Sequence, residues 1–173
     1  MMTHSTATAA APTVKSSEHL RIARESSFTV NLPPKQAFVL FEPVGEKNWA
    51  EDWQPVFASA SDAQLAEGSV FTVEGQHSPA GVVNAVWTVV QYAPPDRIEY
   101  FSVIPGLRAT RILIRCHALA EVTHITVGYD YHGLSAEGDR YLEKITENSF
   151  RRMIGQWSAS ITSYLKRRRP ASS

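Results

Sequence analysis

Cysteine, net charge and long apolar runs are all scarce in this sequence. It contains one cysteine, Cys116, which excludes a disulfide within the chain and a Cys-x-x-Cys metal site and fits a reducing compartment. The 17 Lys and Arg residues balance 17 Asp and Glu residues, so no overall field attracts nucleic acid or an anionic membrane. No apolar run reaches the roughly 18 residues of a membrane span, and the first residues lack the apolar core of a signal peptide. We therefore expect a soluble, cytoplasmic protein with no nucleic-acid partner and no membrane span.

Recognisable metal, nucleophile and phosphate motifs are also missing. Six histidines occur, but none stand in the H-x-x-H or H-E-x-x-H spacing of a metal site. There is no G-x-S-x-G, and no glycine-rich loop follows a predicted strand. Cys116 lies in the middle of a predicted strand and faces the core, where a small inert side chain is favoured over a nucleophile. The sequence therefore predicts no metal site and no organic cofactor.

The length of the chain fits one domain between two short tails. Residues 1–23 are rich in Ala, Thr and Ser and hold few large apolar groups, so they cannot bury enough surface to offset their ordering entropy. We predict a disordered tail over 1–23, a single folded domain over 24–169 and a C-terminal tail over 170–173. A homodimer in which the first tail packs stays open at this point.

Alternating apolar and polar residues predict seven strands in an antiparallel meander. The first covers 26–32, where Phe28, Val30 and Leu32 share one side. Six further segments are rich in Val, Ile, Tyr and Thr and are separated by Pro, Gly or Asp residues. These segments are 56–60, 69–76, 82–92, 97–104, 108–118 and 122–132.

Two short helices are predicted between the first and second strands. Pro34 fits the first turn of a helix over 35–41, with Ala37, Phe38 and Phe41 buried. Pro43 interrupts the chain, and a second helix follows over 46–49. The two helices would form a V on which a longer helix can rest. Trp49 and Trp53 are expected to staple this V to the sheet.

The last long segment, 134–169, has the pattern of one amphipathic helix. Its apolar residues recur with the helical period, at Leu142, Ile145, Met153, Trp157, Ile161 and Leu165. Ser135 is the predicted N-cap, and Pro170 forbids continuation. At about 1.5 Å per residue such a helix is roughly 45 Å long, so it must lie across a whole sheet. We interpret the basic run from Lys166 to Arg169 as a solvated helix end, since a lipid or nucleic-acid patch would need more Lys and Arg nearby.

The alternation of side chains along each strand sorts the residues between two faces. A four-residue turn at 118–121 would pair Thr110 with Tyr129 and Arg108 with Tyr131, and this mainly apolar and aromatic set is predicted to face inward. The opposite set, predicted to face outward, is Arg111, Arg115, His117, His124, Asp130 and His132. A three-residue turn at 105–107 places a further group on the inner side: Trp87, Val89, Gln91, Ile98, Tyr100 and Ser102.

The order of these elements resembles the SRPBCC superfamily, also called START-like or pollen-allergen-like. More specific similarity lies in FEPVGEKNWAEDWQP (41–55), WTV (87–89), APPDRI (93–98) and YHGLS (131–135), which looks like the bacterial polyketide-cyclase or dehydrase-like branch. The resemblance covers residues 24–167. It implies an α+β helix-grip fold, in which a seven-stranded curved antiparallel sheet wraps around a long C-terminal helix, with two short helices between strands 1 and 2. It also implies a hydrophobic cavity between the sheet and that helix.

The predicted cavity lining is mostly apolar with a few polar tips, as a small-molecule pocket requires. The predicted ligand-binding residues are Trp87, Tyr100, Ser102, Arg108, Thr110, Tyr129, Tyr131, Met153 and Trp157, with Gln91 as a further polar group. The alternative is that these side chains fill a closely packed core and leave no cavity. We predict that the protein binds a small hydrophobic or aromatic molecule in this cavity.

Two other functions stay open. One is a polyketide cyclase, aromatase or dehydratase-like enzyme without metal or organic cofactor, in which the catalytic candidates Arg108 and Tyr131 polarise a carbonyl of an aromatic substrate. The other is an interaction protein with a vestigial cavity. The superfamily includes both carriers and enzymes, so the resemblance does not choose among these functions.

Overall fold

A computed structural model describes residues 18–78 and 81–168. The strands are β1 (Arg21–Val30), β2 (Pro55–Phe57), β3 (Val70–Ser78), β4 (Gly81–Ala93), β5 (Arg97–Ile104), β6 (Arg108–Leu119) and β7 (Val122–Gly133). The helices are α1 (Pro34–Phe38), α2 (Pro43–Glu46), α3 (Ala136–Glu143) and α4 (Glu147–Arg168), and short 3₁₀ turns cover Val39–Phe41 and Ala60–Ala63. Most predicted strands differ from these bounds by only a few residues at either end.

The seven strands form one antiparallel sheet in the order β1-β7-β6-β5-β4-β3-β2. α1 and α2 come between β1 and β2, and α4 ends the described chain and packs against β1. The predicted helix-grip architecture is therefore confirmed. No helix within 18–78 or 81–168 combines the length and the apolar character that a membrane crossing needs.

The first strand begins earlier than the sequence predicts. β1 starts at Arg21 rather than at residue 26, because its first half pairs with the end of β7. Arg21 also binds Asp130 through Nε and Nη2, at 2.9 and 2.6 Å. The last three residues of the predicted 1–23 tail are thus part of the sheet, and that boundary is wrong. His19 and Leu20, also in the predicted tail, bind Asp139, while residues 1–17 and 170–173 lie outside the described residues.

The β6–β7 hairpin keeps the predicted faces but has a different register. Leu119 pairs with Val122, so the turn has two residues rather than the predicted four. Ala120, in this turn, has a φ of 54°, the left-handed conformation that two-residue hairpin turns use. Thr110 consequently pairs with Tyr131, two residues further along β7 than predicted. Because side chains alternate with a period of two, this slip leaves every side chain on its predicted face.

The predicted single helix over 134–169 is two helices. Its N-cap is confirmed, since Ser135 Oγ accepts a hydrogen bond from the Gly138 amide at 3.0 Å. The chain then leaves the helix after α3, and Thr146 starts α4 by accepting a hydrogen bond from the Ser149 amide at 3.1 Å. Arg24, on the concave side of β1, donates a hydrogen bond to the carbonyl oxygen of Ile145 at 3.0 Å. Within the described chain this carbonyl has no partner in a helix because the helix is interrupted here, and Arg24 supplies the missing donor. The prediction of one unbroken helix is wrong.

α1 and α2 form the predicted pair of short helices. Pro34 occupies the first turn of α1 as predicted, whereas the second helix begins at Pro43, three residues before the predicted start. The indole Nε1 of Trp49 donates to the carbonyl of Leu40 at 2.7 Å, and that of Trp53 donates to the carbonyl of Pro43 at 2.8 Å. Both bonds lie within the V. Trp53 also packs against Phe71 and Trp87 of the sheet, with ring centroids 6.0 and 5.2 Å apart, as expected, whereas Trp49 packs against Trp157 of α4 at 5.4 Å.

Apolar packing in the described chain forms two separate clusters. The larger one lies between the sheet, α4 and the V, and includes Phe38, Phe41, Phe71, Ile114, Ile125, Ile154 and Ile161. The smaller one consists of Ala85, Ile104 and Leu107, near the β5–β6 turn. Trp87 packs against both clusters. The apolar interior therefore has two parts, and the predicted ligand-binding residues lie where these two parts meet.

Candidate ligand site

A row of predicted pocket residues crosses the concave face of the sheet. Trp87 lies opposite Ser102, Ser102 opposite Thr110, and Thr110 opposite Tyr131. We call these four residues the polar row. Its two central members are small and its two outer members are large aromatics, so the least side-chain volume lies at its centre. Ser102, Thr110 and Tyr131 belong to neither apolar cluster, and the row thus separates the two.

Tyr129 connects the polar row to α4. Its ring centroid lies 5.3 Å from that of Tyr131, 5.4 Å from that of Phe150 and 6.4 Å from that of Trp157. Trp157 and Met153 are half-buried and pack against the larger cluster. The structure therefore brings Tyr129, Tyr131 and Trp157 together, as the sequence predicts, under the N-terminal half of α4.

Arg108 lies one row further toward the β5–β6 turn, opposite Gly133. Its guanidinium carbon is 5.9 Å from the ring centroid of Tyr131 and 5.1 Å from that of Tyr141 in α3. Its Nε and Nη1 atoms are buried and have no hydrogen-bond partner in the described chain. Arg108 is thus a partly desolvated cation, close to two aromatic rings, with two donor nitrogens unused.

Other polar groups around the row are also unpaired. Trp87 Nε1 is buried without a partner among the residues described. The hydroxyls of Ser102, Thr110, Tyr129 and Tyr131 likewise make no hydrogen bond within 18–78 and 81–168. Indole and guanidinium N–H groups can only donate, and a buried donor without an acceptor costs about 1–3 kcal/mol. A well-packed core rarely leaves three buried donor atoms, Trp87 Nε1 and Arg108 Nε and Nη1, unpaired in one region.

Both tyrosines beside Arg108 are neutral hydrogen-bond donors at physiological pH. Burial raises the pKa of Tyr129 and of Tyr131 above the ordinary value for tyrosine, and the nearby Arg108 offsets only part of that rise. A neutral phenol can donate to an oxygen acceptor and cannot serve as a base until it ionises. The arrangement therefore suits polarisation or recognition of an acceptor rather than proton abstraction by tyrosine.

The polar groups of Gln91 and Tyr100 do not lie where the sequence predicts. The β4–β5 register shifts between Val89 and Gln91, so Gln91 lies opposite Glu99 and Tyr92 takes the place opposite Ile98. This bulge removes Gln91 from the inner side, and the prediction that it faces a ligand is wrong. Tyr100 does face inward, but its hydroxyl donates to the carbonyl of Phe41 at 2.9 Å. Its polar tip therefore attaches the V to the sheet.

Glu46, at the end of α2, was not predicted as a site residue. It is only 8% exposed, and its carboxyl group makes no hydrogen bond or ion pair with any other described residue. Burial raises the pKa of Glu46 well above the ordinary value. Its charged form also raises the pKa of Tyr100 and of Tyr129, so the carboxyl lies toward the same interior. No sequence pattern identifies a buried glutamate at the end of a four-residue helix.

Glu46→Gln should stabilise the protein at neutral pH by about 1 kcal/mol, because glutamine does not pay the cost of burying a charge. The folded state holds the Glu46 proton more tightly than the unfolded state, so the wild-type free energy of unfolding falls as pH rises from the unfolded pKa through the raised folded pKa. Urea denaturation across this pH range should show the gain of Glu46→Gln shrinking toward acid pH. Exposed Glu143→Gln is the control, and an equal gain there would contradict the assignment.

The described part of the chain offers no group of three or more His, Cys, Asp or Glu residues that could hold a metal ion. Cys116 is buried at 4% exposure, and burial raises the pKa of its thiol to about 12. A thiol with this pKa is almost wholly protonated at neutral pH and is a poor nucleophile. The polar groups that the structure places in or beside the interior are the Trp87 indole, the hydroxyls, the Arg108 guanidinium and the Glu46 carboxyl.

A cavity lies on another side of α4, away from the polar row. It is a groove of about 740 Å³ between the C-terminal half of α4, the end of β1 and the V. Its lining residues are Thr29, Val30, Asn31, Leu32, Lys35, Gln36, Val39, Leu40, Gly45, Asn48, Ser158, Ile161, Thr162, Tyr164, Leu165, Lys166 and Arg168. None of the nine predicted ligand-binding residues is among them. The groove is formed by segments that are far apart in the sequence, so no local sequence pattern could predict it.

No family model matches this sequence, and no curated protein matches it. Solved structures do share its fold. Mll3558 from Rhizobium loti superposes with a TM-score of 0.61 and 13% identity, over 83% of this chain and 99% of that one. Ara h 8.0201 superposes with a TM-score of 0.60 and 11% identity, over 84% of this chain and 99% of that one. DynU16, from the dynemicin biosynthetic locus, superposes with a TM-score of 0.55 and 14% identity, over 83% of this chain and 47% of that one. At these identities the similarity establishes a common fold, and the chain has the sheet-and-helix architecture of these proteins.

Proposed function

We propose that the protein binds a small aromatic molecule in the interior, along the polar row and beneath α4. The observation that carries this proposal is the set of unpaired donors on Trp87 and Arg108 at the division between the two apolar clusters. A ligand that fills this division would cover the aromatic rings and supply the missing acceptors.

The chemistry of the unpaired groups narrows the ligand class. Trp87 Nε1 and the Arg108 nitrogens can only donate, so the ligand must carry oxygen acceptors such as carbonyl, phenolate or carboxylate groups. An anionic group fits beside Arg108, because a charge-assisted hydrogen bond is stronger than a neutral one. An aromatic body suits the rings of Trp87 and of the Tyr129–Tyr131 pair, whose centroids are 5.3 Å apart, because aromatic side chains pack well against flat rings.

A second candidate function is an enzyme that acts on an aromatic, polyketide-like substrate. It is favoured by the approach of Arg108 to the Tyr131 ring at 5.9 Å, which puts a cation and a neutral phenol donor near one point. Two such donors can polarise a carbonyl as charge develops on its oxygen. The sequence resemblance to the polyketide-cyclase-like branch of SRPBCC proteins, and the biosynthetic locus of DynU16, agree with this reading. Turnover of an aromatic polyketone, lost in Arg108→Met and Tyr131→Phe, would distinguish an enzyme from a carrier.

Tyr129→Phe and Tyr100→Phe form a matched pair that tests the binding site. The Tyr129 hydroxyl has no partner within the described chain, so its removal should leave stability nearly unchanged and weaken ligand binding about three- to tenfold. The Tyr100 hydroxyl donates to Phe41, so its removal should cost about 0.5–1.5 kcal/mol of stability and leave affinity nearly unchanged. Binding of aromatic acids, polyphenols and fatty acids can be followed by tryptophan fluorescence, and stability by urea denaturation. A large stability loss in Tyr129→Phe, with no aromatic panel member bound, would mean that the interior is a filled core.

A further inference from the structure

We propose that the groove beside the C-terminal half of α4 is a separate binding site for a long-chain aliphatic carboxylate, of the fatty-acid class. It shares no residue with the aromatic site proposed above. The proposal does not depend on that function, since it rests on the shape, the lining and the charge of the groove itself.

The floor of the groove is aliphatic. Val30, Leu40 and Ile161 form its deep part, with exposures of 3%, 5% and 1%. Val39 lines the same groove and is 48% exposed, so the aliphatic lining continues from the buried floor to the surface. Tyr164 is the one aromatic residue of the lining, whereas aromatic rings dominate the interior site. The groove therefore suits an alkyl chain better than a flat ring system.

The charge of the groove has one sign. Lys35, Lys166 and Arg168 line it, and no acidic residue does, although the whole chain has equal numbers of acidic and basic residues. Lys35 and Lys166 make no ion pair with any residue in the described ranges. Arg168 folds back over Tyr164, with its Nη1 3.1 Å from the Tyr164 hydroxyl and its guanidinium carbon 5.6 Å from the ring centroid. Two unpaired lysines from facing elements thus leave a place for an anionic head group.

The dimensions fit the same ligand class. The lining runs along α4 from Ser158 to Arg168, which is about 15 Å at 1.5 Å per residue. The volume of about 740 Å³ lies within the range of roughly 300–1,000 Å³ typical of small-molecule sites. The cations Lys166 and Arg168 come from the last turn of α4, at one end of the aliphatic floor. An elongated molecule with one anionic end matches this arrangement.

The test is calorimetric titration of the full-length protein with laurate, and with lauryl alcohol as a neutral molecule of the same chain length. Laurate should bind, and the alcohol should bind about tenfold or more weakly. Lys35→Glu combined with Lys166→Glu should weaken laurate binding at least tenfold, because the anion then meets two carboxylates. Arg152→Glu combined with Arg167→Glu is the matched control, since it makes the same change in net charge on exposed positions of α4 that do not line the groove, and it should change the affinity less than twofold.

The floor is tested separately. Ser158→Trp should fill the groove and abolish laurate binding, while Ala159→Trp, exposed and outside the lining, should not. Equal losses of affinity in the arginine double variant and in the lysine double variant would reduce the effect to overall charge and overturn the proposal. Loss of laurate binding in Tyr129→Phe, with none in Ser158→Trp, would place laurate in the interior and overturn the groove site while leaving the aromatic site standing. A further outcome is that the protein sediments with phosphatidylglycerol vesicles in a manner that requires Lys35 and Lys166, and does not bind laurate. That result would identify the groove as a membrane contact and would also overturn the proposed fatty-acid site.

Discussion

Gly138→Ala should destabilise the protein by about 3 kcal/mol, because the added methyl group would overlap backbone atoms of a neighbouring element. A Cβ at Gly138 would lie 1.9 Å from the backbone carbonyl oxygen of Leu107, and backbone cannot turn aside as a flexible side chain can. The same carbonyl accepts a hydrogen bond from the Leu134 amide at 3.0 Å, so α3 and the β5–β6 turn are held in direct contact. The substitution must move one of them and disturb the smaller apolar cluster.

Gly155→Ala is the matched control for this prediction. Gly155 lies within α4, and a Cβ there would meet no atom within 4 Å. Alanine has the higher helix propensity, so Gly155→Ala should stabilise the protein by up to about 1 kcal/mol. Urea denaturation of both variants measures the difference. A Gly138→Ala protein within about 0.5 kcal/mol of wild type would contradict the docking of α3 against the β5–β6 turn.

Arg97→Met combined with Arg111→Met should cost about 3 kcal/mol, because it leaves the Glu99 carboxylate buried and unpaired. Glu99 is 1% exposed on the convex side of the sheet, and it accepts hydrogen bonds from Arg97 Nη2 at 2.8 Å and from Arg111 Nε. Burial tends to raise the pKa of Glu99, but the hydrogen bonds and charges of the two arginines outweigh it and hold the pKa below the ordinary value. Methionine keeps the aliphatic cover over the carboxylate while removing both charges.

The pH dependence of stability supplies a second readout. In the wild type, the contribution of Glu99 is present above its unfolded pKa and is lost as pH falls through its lowered folded pKa. In the double variant this acid-side loss should disappear, since the unpaired carboxyl is easier to protonate in the folded state. Arg115→Met is the control: Arg115 pairs with Glu25 at 2.8 Å on the same face, with both side chains about half exposed, and should cost less than about 1 kcal/mol. Equal costs for the two would show that Glu99 is not desolvated.

The fold was largely predictable because strands and turns are local features. The segment predicted at 97–104 is β5 with the same bounds, and Pro105 and Gly106 mark the turn that follows it. The register of β6 and β7 was not predictable, because the two-residue turn uses Ala120 in a left-handed conformation that Gly or Asn usually signals. The error was two residues, so the inward set, including Arg108 and Thr110, was still identified correctly.

Features that depend on distant residues were the ones missed. The stripe of apolar residues continues in phase from Leu142 to Phe150, so periodicity alone could not reveal the break between α3 and α4, which Arg24 supports from 121 residues away. The burial of Glu46 depends on how the V meets the sheet. The groove combines Lys35 with Lys166, which no local pattern relates. Of the predicted site, the aromatic and hydroxyl groups are placed together, and their role in binding remains the prediction that the Tyr129 and Tyr100 variants test.

The strand order has a consequence for self-association. The sheet does not close, so β1 and β2 are its two edges, and an open edge can template pairing with another molecule. β2 is only three residues long. β1 carries Arg21, Arg24 and Glu25 along its first half, and Pro33 and Pro34 follow its end. Natural sheets resist edge-to-edge pairing by means of short edge strands, charged side chains and proline. The groove and the interior site can therefore present apolar surface without the edges of the sheet pairing with strands of another molecule.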